Sequence, residues 1–451
     1  MKVNFIGCDR KTTYLLPPSV EDWLPEGHLA RFVVEVVEKL DLYSLKESYS
    51  GRGSYPYSPV MLAALLFYGY ATGIFSSRKL ERSTYDSIAF RYIAANSHPD
   101  HDTIAAFRRR FLPELTKIFV RILEIASQMN VLKLGTVSLD GTKVKANASK
   151  HKAFSYDHAL RLEQQLKAEV AELLKKAEAA DKADIPDGMS IPEEIIRREE
   201  RLKAIVEAKA EIERRAAQRH IAEQEAYEKK VAERSEKQRK TGKKPKGSAP
   251  KPPIPGPTGK DQVNLTDSES RIMPSGSGFE QAYNAQAAVD NDSMLIVADC
   301  ISQNTNDKKE LEPALDRIDA LPKALGAVGA LIADSGYFSE ANVTSCEAKQ
   351  ITPYIAPGRE GHNQPVIERF LEPPPVPDDA DCVARMKHRL KTIDGKAIYA
   401  KRKGIVEPVF GIIKSAMGFT SFLLRGLELV TAEWKLVCIA WNLKRLYVLT
   451  R

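Results

Sequence analysis

The feature that most restricts the fold is a period of hydrophobicity that changes twice along the chain. Around Thr136, Val137 and Leu139 alternate with polar neighbours, and Val144 and Ala146 resume the alternation after Asp140 and Gly141. This is the two-residue period of a strand. Asp-Gly is a favoured hairpin turn pair, so a hairpin turning at Asp140 is expected. Residues 156–240 are then helical and highly charged, with one apolar stripe of Leu162, Leu166, Val170 and Leu173 and a second of Ile195, Leu202, Ile205 or Val206, and Ile212. Residues 184–190 break the pattern, and Ser190 with Glu193 has the spacing of a capping box. Two long antiparallel helices are the simplest account. Strand alternation returns at 279–289, turns at 290–292 and continues over 294–301. A strand-forming core interrupted by a helical hairpin must be discontinuous in sequence.

Beyond 301 the elements alternate. A helix is expected over 307–321, a buried strand over 328–333 ending at Asp334, a helix over 339–349, a strand over 351–355, a loop through the prolines of 372–377, and helices from Gly404 onward. This order predicts a mixed α/β core with its sheet covered on both faces. Residues 17–130 read as helical. Leu62, Leu65, Leu66 and Tyr70 follow Pro59 at helical spacing, and Asp102 is placed to cap a helix containing Ile104, Phe107, Phe111 and Leu115. Arg108, Arg109 and Arg110 form either a solvated basic face or a DNA-contacting one.

Composition enters through charge. The chain has 67 Lys and Arg against 60 Asp and Glu, and seven of those bases (Lys237, Arg239, Lys240, Lys243, Lys244, Lys246 and Lys251) lie within 237–251, where there is no acid. Removing these seven leaves 60 bases against 60 acids, so the whole excess sits in one segment. The Pro, Gly and Ser around it predict a mobile tether that is either merely solvated or attracted to polyanions through counterion release. The apolar run 60–75 is shorter than a bilayer span and contains Tyr68, Gly69 and Thr72, so a buried helix and a cytoplasmic protein without a membrane segment are expected. Charges at Lys2, Asp9, Arg10 and Lys11 exclude a signal-peptide pattern in the first residues. The five cysteines are scattered, with no metal-binding or disulfide spacing.

Three acids stand out. Asp140 and Asp334 each follow an apolar strand pattern, and Glu407 precedes Pro408 near the start of an apolar-faced helix containing Val409, Ile412 and Ile413. Each has an ordinary reading, as a turn residue or as an acid complementing a helix dipole. Together they supply hard oxygen ligands of the kind that hold Mg²⁺, and two such ions can activate a hydroxyl and stabilise a leaving oxygen at phosphorus. A non-catalytic DNA-binding protein would explain the basic strip but not the acids. A metal-dependent nuclease is the nearer alternative.

The segments YSPVMLAALLFYGYATGIFSSRKLE, HPDHDTIAAFRRRF, DGTKVKANASKHK, SRIMPSGSGFEQAYNAQAAVD, ADSGYFS, VEPVFGIIK and AEWKLVCIAWNLKRL occur in this order. The chain resembles bacterial insertion-sequence transposases of the DDE type, in the IS4/IS5-like group and nearest the eleven-eighty-two family, over nearly its whole length. The resemblance implies an RNase H-like catalytic domain (131–151 and 270–451), a helical N-terminal DNA-binding domain (1–130), a helical-hairpin insertion (152–240) and a basic linker (241–269). It implies catalytic, metal-holding roles for Asp140, Asp334 and Glu407 with two Mg²⁺ or Mn²⁺ ions. The expected partners are double-stranded DNA, as transposon ends and target, and a second copy of the chain, in a nucleoid-associated setting. The related Y-x2-R-x3-E-x6-K pattern implies DNA contacts from Tyr399, Arg402 or Lys403, and Lys414. Lys143, Arg108 and Arg109 are further candidates for DNA binding. Arg402 has four residues before Glu407, whereas Lys403 has the expected three, and both remain candidates for the basic position.

Overall fold

In a computed structural model, the structure describes residues 19–42, 56–149, 152–180, 191–242, 247–276, 278–358, 371–377 and 379–451. The chain divides into two compact units. The first comprises Met1–Val144, Asn284–Leu424 and Glu428–Arg451, and the second comprises Lys145–Tyr283 with Arg425–Leu427.

The core of the first unit is a mixed sheet of β1 (Leu134–Lys145), β2 (Gly278–Asp290), β3 (Ile296–Ser302), β4 (Gly326–Ala333) and β5 (Thr352–Ile355). Its order is β3-β2-β1-β4-β5, and a sixth strand, Arg271–Ser275, pairs antiparallel with the start of β2 from Gly278 to Ala282. β2 and β3 pair antiparallel, and β1 with β4 and β4 with β5 pair parallel. β2 also runs against β1, because Asn291 donates to the Thr136 carbonyl at one end while Ala146 donates to the Gln281 carbonyl at the other. Each parallel pair needs a crossover, and Leu311–Asp319 and Glu340–Ala348 are the helices that precede β4 and β5. The mixed α/β class, the RNase H-like sheet and the long helical hairpin are as the sequence leads one to expect.

The expected hairpin at Asp140 is replaced by one continuous twelve-residue strand. Val137, Ser138 and Leu139 are all buried because both faces are covered there, and only Val144 and Ala146 are buried further on. The apparent break in alternation is therefore a change in which faces are covered, and the chain does not reverse. The helix expected from 307 begins at Leu311, which leaves Asp307 in the preceding turn.

The last helix, Leu427–Leu449, lies on this sheet. The Trp434 indole donates to the Gln286 carbonyl at 3.1 Å, and the Asn442 amide engages both the N–H and the carbonyl of Ile296 at 2.8 Å. That amide pairs backbone groups of β3, which has no further strand beyond it in the sheet among the described residues. In the N-terminal helices, Pro59–Ala71 begins with its proline, where the missing N–H costs nothing, and eleven of its residues are buried. Its Tyr70 hydroxyl donates to the fully buried Glu433 at 3.2 Å, and Glu433 also accepts the N–H groups of Leu423 and Leu424 at 3.0 Å. Burial pushes the Glu433 carboxyl above its ordinary range. The cap of His101–Phe111 is Asp100, which accepts from Thr103 N at 2.7 Å, and Asp102 sits in the first turn instead. No helix among the described residues is long and apolar enough to cross a membrane.

In the second unit, Tyr156–Ala180 pairs with the 51-residue helix Ile191–Thr241 through Ala159, Leu162, Leu166 and Ile205. Ile205 faces inward and Val206 is exposed, which settles the stripe. Ion pairs Lys209–Glu163 and Arg198–Glu169 link the two helices. The expected break at 184–190 and the capping box at Ser190 lie outside the described residues. Of the basic strip, Lys237, Arg239 and Lys240 belong to the helix, while Lys243, Lys244 and Lys246 lie outside the described residues. The Pro/Gly-rich tract, expected to be a free tether, is pinned in places. Arg234 donates to the carbonyls of Gly247 and Ser248, Arg219 clamps Asp261 through two bonds of 2.8 and 2.9 Å, and Gln262–Asn264 pairs antiparallel with Ala153–Ser155.

Candidate active site

The parallel register of β1 and β4 pairs Leu139 with Ala333, so the next residues, Asp140 and Asp334, leave neighbouring strands at the same level. Adjacent strands lie about 4.8 Å apart, which holds the two carboxylates close without any further device. Asp140 does not end its strand, as expected, but projects from the middle of it. The chain turns directly after Asp334, whose side chain accepts from Gly336 N at 2.8 Å and caps a short 3₁₀ turn. Burial, together with the negative charges of Asp334 and Asp307, pushes the Asp140 carboxyl up to about 6 against the pull of its bond from Gly141 N and of Arg402.

Glu407 reaches the same place from the helix Arg402–Ser415. It is the sixth residue and Pro408 the seventh, so both lie deeper than the helix start where the sequence places them. Pro408 has no N–H for the Gly404 carbonyl, the local cost of a proline inside a helix. Arg402 joins the acids, its guanidinium lying 3.3 Å from the Glu407 carboxylate and 3.8 Å from that of Asp140. Lys403, one residue on, is exposed. Tyr399 stands beside Arg402 and within the field of Asp334 and Asp140, and burial raises its phenol above the ordinary value.

Lys414 is neither a solvated helix residue nor directed at the acids. Its ammonium donates to Thr142 Oγ1 at 2.5 Å and to the Lys143 carbonyl at 3.0 Å, and so ties the helix of Glu407 to the strand of Asp140. Its partial burial lowers its pKa. Lys143 itself lies 3.4 Å from Asp307. Arg108 is turned toward the helical core, where it donates to the Phe75 carbonyl at 3.2 Å and lies near Glu433, while Arg109 is exposed. The structure thus brings together Asp140, Asp334, Glu407, Arg402 and Tyr399, with Lys414 and Lys143 alongside, and leaves Arg108 and Arg109 elsewhere.

Four polar residues that the sequence reading passed over also meet here. Asn284 and Gln286 donate their amides to Asp307 at 2.6 and 2.8 Å, and the Tyr337 hydroxyl donates to the Gln286 side chain. A signal for them exists: Asn284 and Gln286 are the two amide residues, two positions apart, in the otherwise small and apolar run 282–289, and so share one face of the strand.

The donor set fits a divalent cation. All three acids offer hard oxygens, Asp140 is destabilised by its anionic neighbours in a way a cation would offset, and the Oδ1 of fully buried Asn284 has no hydrogen-bond partner. Among the described residues no three His, Cys, Asp or Glu side chains are gathered tightly enough to hold a metal as they stand. Positive charge at the site comes from the guanidinium of Arg402, near both Asp140 and Glu407, and from the Lys143 ammonium near Asp307.

A family model described as "Transposase domain (DUF772)" matches residues 18–110, and one described as "Transposase DDE domain" matches residues 251–443. Both matches are to transposase families, and the chain carries a transposase DDE domain. Asp334 and Glu407 fall inside the second match, while Asp140 lies in the stretch between the two. No curated protein and no solved structure matches the chain. DDE transposases act on DNA and use divalent metal ions, which agrees with the acidic sheet end just described.

Proposed function

We propose that this transposase cleaves the ends of an insertion sequence and joins them to target DNA, with Asp140, Asp334 and Glu407 holding two Mg²⁺ or Mn²⁺ ions. The observation that carries the reading is the Leu139–Ala333 register, which sets Asp140 and Asp334 side by side at one level of the sheet. When bound, the ions would lower the pKa of the attacking hydroxyl and stabilise the leaving oxygen. The protein's part is placement. The sheet fixes two carboxylates, Lys414 docks the helix that brings the third, and Arg402 exchanges its carboxylate partners for the scissile phosphate once DNA arrives. Guanidinium suits that exchange because its planar fork binds carboxylate and phosphate alike. Its position near Asp140 and Glu407 favours Arg402 over Lys403 as the functional base. Tyr399, beside Arg402, offers a ring on which a displaced base can stack.

The test is a DNA carrying the inverted repeats that flank the open reading frame, incubated with the chain and Mg²⁺ alongside a target plasmid. Cut ends joined to the plasmid support the reading. Cleavage without joining would make the protein a nuclease, and wild-type-like cleavage by Asp334→Asn would remove the acids from the mechanism.

A further inference from the structure

Asp307 is not one of the three acids, yet it is the most firmly framed carboxylate at this end of the sheet. Its Oδ1 accepts the amides of Asn284 at 2.6 Å and Gln286 at 2.8 Å, and lies 3.4 Å from the Lys143 ammonium. Asn284 and Gln286 are buried, and Gln286 is held in turn by the Tyr337 hydroxyl, so the amides that meet Asp307 are themselves fixed. The carboxylate and the amides around it also explain a glycine. A Cβ on Gly141, directly after Asp140, would meet Gln286 Nε2 first and would stand 2.7 Å from Asp307 Oδ1 and 3.0 Å from Asn284 Oδ1, so this hydrogen-bonded cluster would have to shift to admit a side chain. Its other oxygen turns toward the second acid, since a Cβ on Gly336, two residues after Asp334, would lie 3.7 Å from Asp307 Oδ2 and 2.9 Å from Asp334 Oδ1. Asp307 therefore stands between the Asp-Gly of one strand and the Asp-Ser-Gly of the next.

A purely structural role leaves two observations unexplained. Two amides can be satisfied by a neutral carbonyl, whereas a carboxylate adds a third negative charge beside Asp140 and Asp334. Within 4.0 Å of these three aspartates the cations among the described residues are Lys143, on Asp307, and Arg402, on Asp140. In addition, Asn284 Oδ1 is a buried acceptor without a donor at this spot, and buried acceptors of that kind are costly unless something fills the need. An excess of acceptors with one orphan oxygen is the environment a hard cation relieves.

We propose that Asp307 is a fourth carboxylate of the active site, presenting Oδ2 to the divalent cation held by Asp140 and Asp334, directly or through a water, while Asn284 and Gln286 fix its orientation. The inference rests on the cation-binding part of the function proposed above. Lys143 is then a placeholder that competes with the cation for Asp307.

The test is titration of the full-length chain with Mn²⁺ alone, following free Mn²⁺ by electron paramagnetic resonance, with thermal midpoints recorded without metal. Asp307→Asn keeps an oxygen for both amides and is expected to weaken Mn²⁺ binding about tenfold, the scale of loss known for residues that support a metal site. Lys143→Met, which leaves Asp307 in place, is expected to tighten binding severalfold and keeps the idea testable should Asp307→Asn fold poorly. Parent-like binding by Asp307→Asn, or equal or weaker binding by Lys143→Met, would overturn the proposal. Asp334→Asn separates the two levels of the argument. If it loses Mn²⁺ while Asp307→Asn does not, only the fourth carboxylate is wrong; if Asp334→Asn and the parent behave alike, the cation assignment of the whole site fails.

Discussion

Asp140 and Asp334 occupy neighbouring strands whose register is set by residues on either side, whereas Glu407 stands half-exposed on a helix, in contact with Arg402. The two arrangements solve different problems. A sheet places side chains with little freedom, because moving one carboxylate would slip the ladder and carry buried residues such as Val137 and Leu331 to the opposite, equally packed face. A helix held by side-chain contacts such as that of Lys414 can shift slightly, so under the proposed function its acid would be free to follow a bound ion. The site thus combines a fixed pair with an adjustable third member.

The largest effect should come from the fixed pair. Asp334→Asn is expected to lower DNA-end cleavage by about a thousandfold or more, roughly 4 kcal/mol of barrier, with end binding retained in a gel-shift assay. The second test concerns the cost of that fixity. Because the Asp140 carboxyl is raised to about 6, the native state holds its proton more tightly than the unfolded chain. Its contribution to stability is present below the ordinary value near 4 and is lost as pH rises through 6. Asp140→Asn should flatten this slope in metal-free urea melts and raise stability at pH 7 by on the order of 1–3 kcal/mol. A steeper slope in the variant would contradict the assignment.

Differences in reach separate the strands from the helix. Exchanging Glu407 for Asp should retain about ten times more cleavage than exchanging Asp334 for Glu, a difference of about 1.4 kcal/mol, since the helix can follow its side chain and the sheet cannot. Equal losses would mean that the helix is as fixed as the sheet. Lys414→Met should have the smallest effect on stability, about 1 kcal/mol by chemical denaturation. Cleavage should fall further than that cost alone explains, because Glu407 loses its docking.

What the sequence discloses follows the range of the forces involved. Strand alternation and helical stripes are local, so β4, the hairpin helices and the buried Pro59–Ala71 are legible from the chain. The Asp-Gly pair is misleading because its glycine answers to Gln286 and Asp307, both far along the chain, and not to a turn. Arg108 is misleading for the same kind of reason. Its direction is decided by Phe75 and by Glu433, which helical periodicity around Arg108 cannot reveal. The three acids are legible because each interrupts an apolar pattern. Asp307 stays hidden within the polar run SQNTNDKKE, where one more acid carries no contrast.

The long interruption between β1 and β2 has a consequence for synthesis. β1 is the middle strand of the sheet, yet about 130 residues must be added before its neighbour β2 begins, and β4 follows later still. At about 5–20 residues per second, the ribosome leaves this apolar strand without its ladder partners for roughly ten seconds. A nascent chain with Leu134 to Leu139 exposed for that long is a natural client for chaperones.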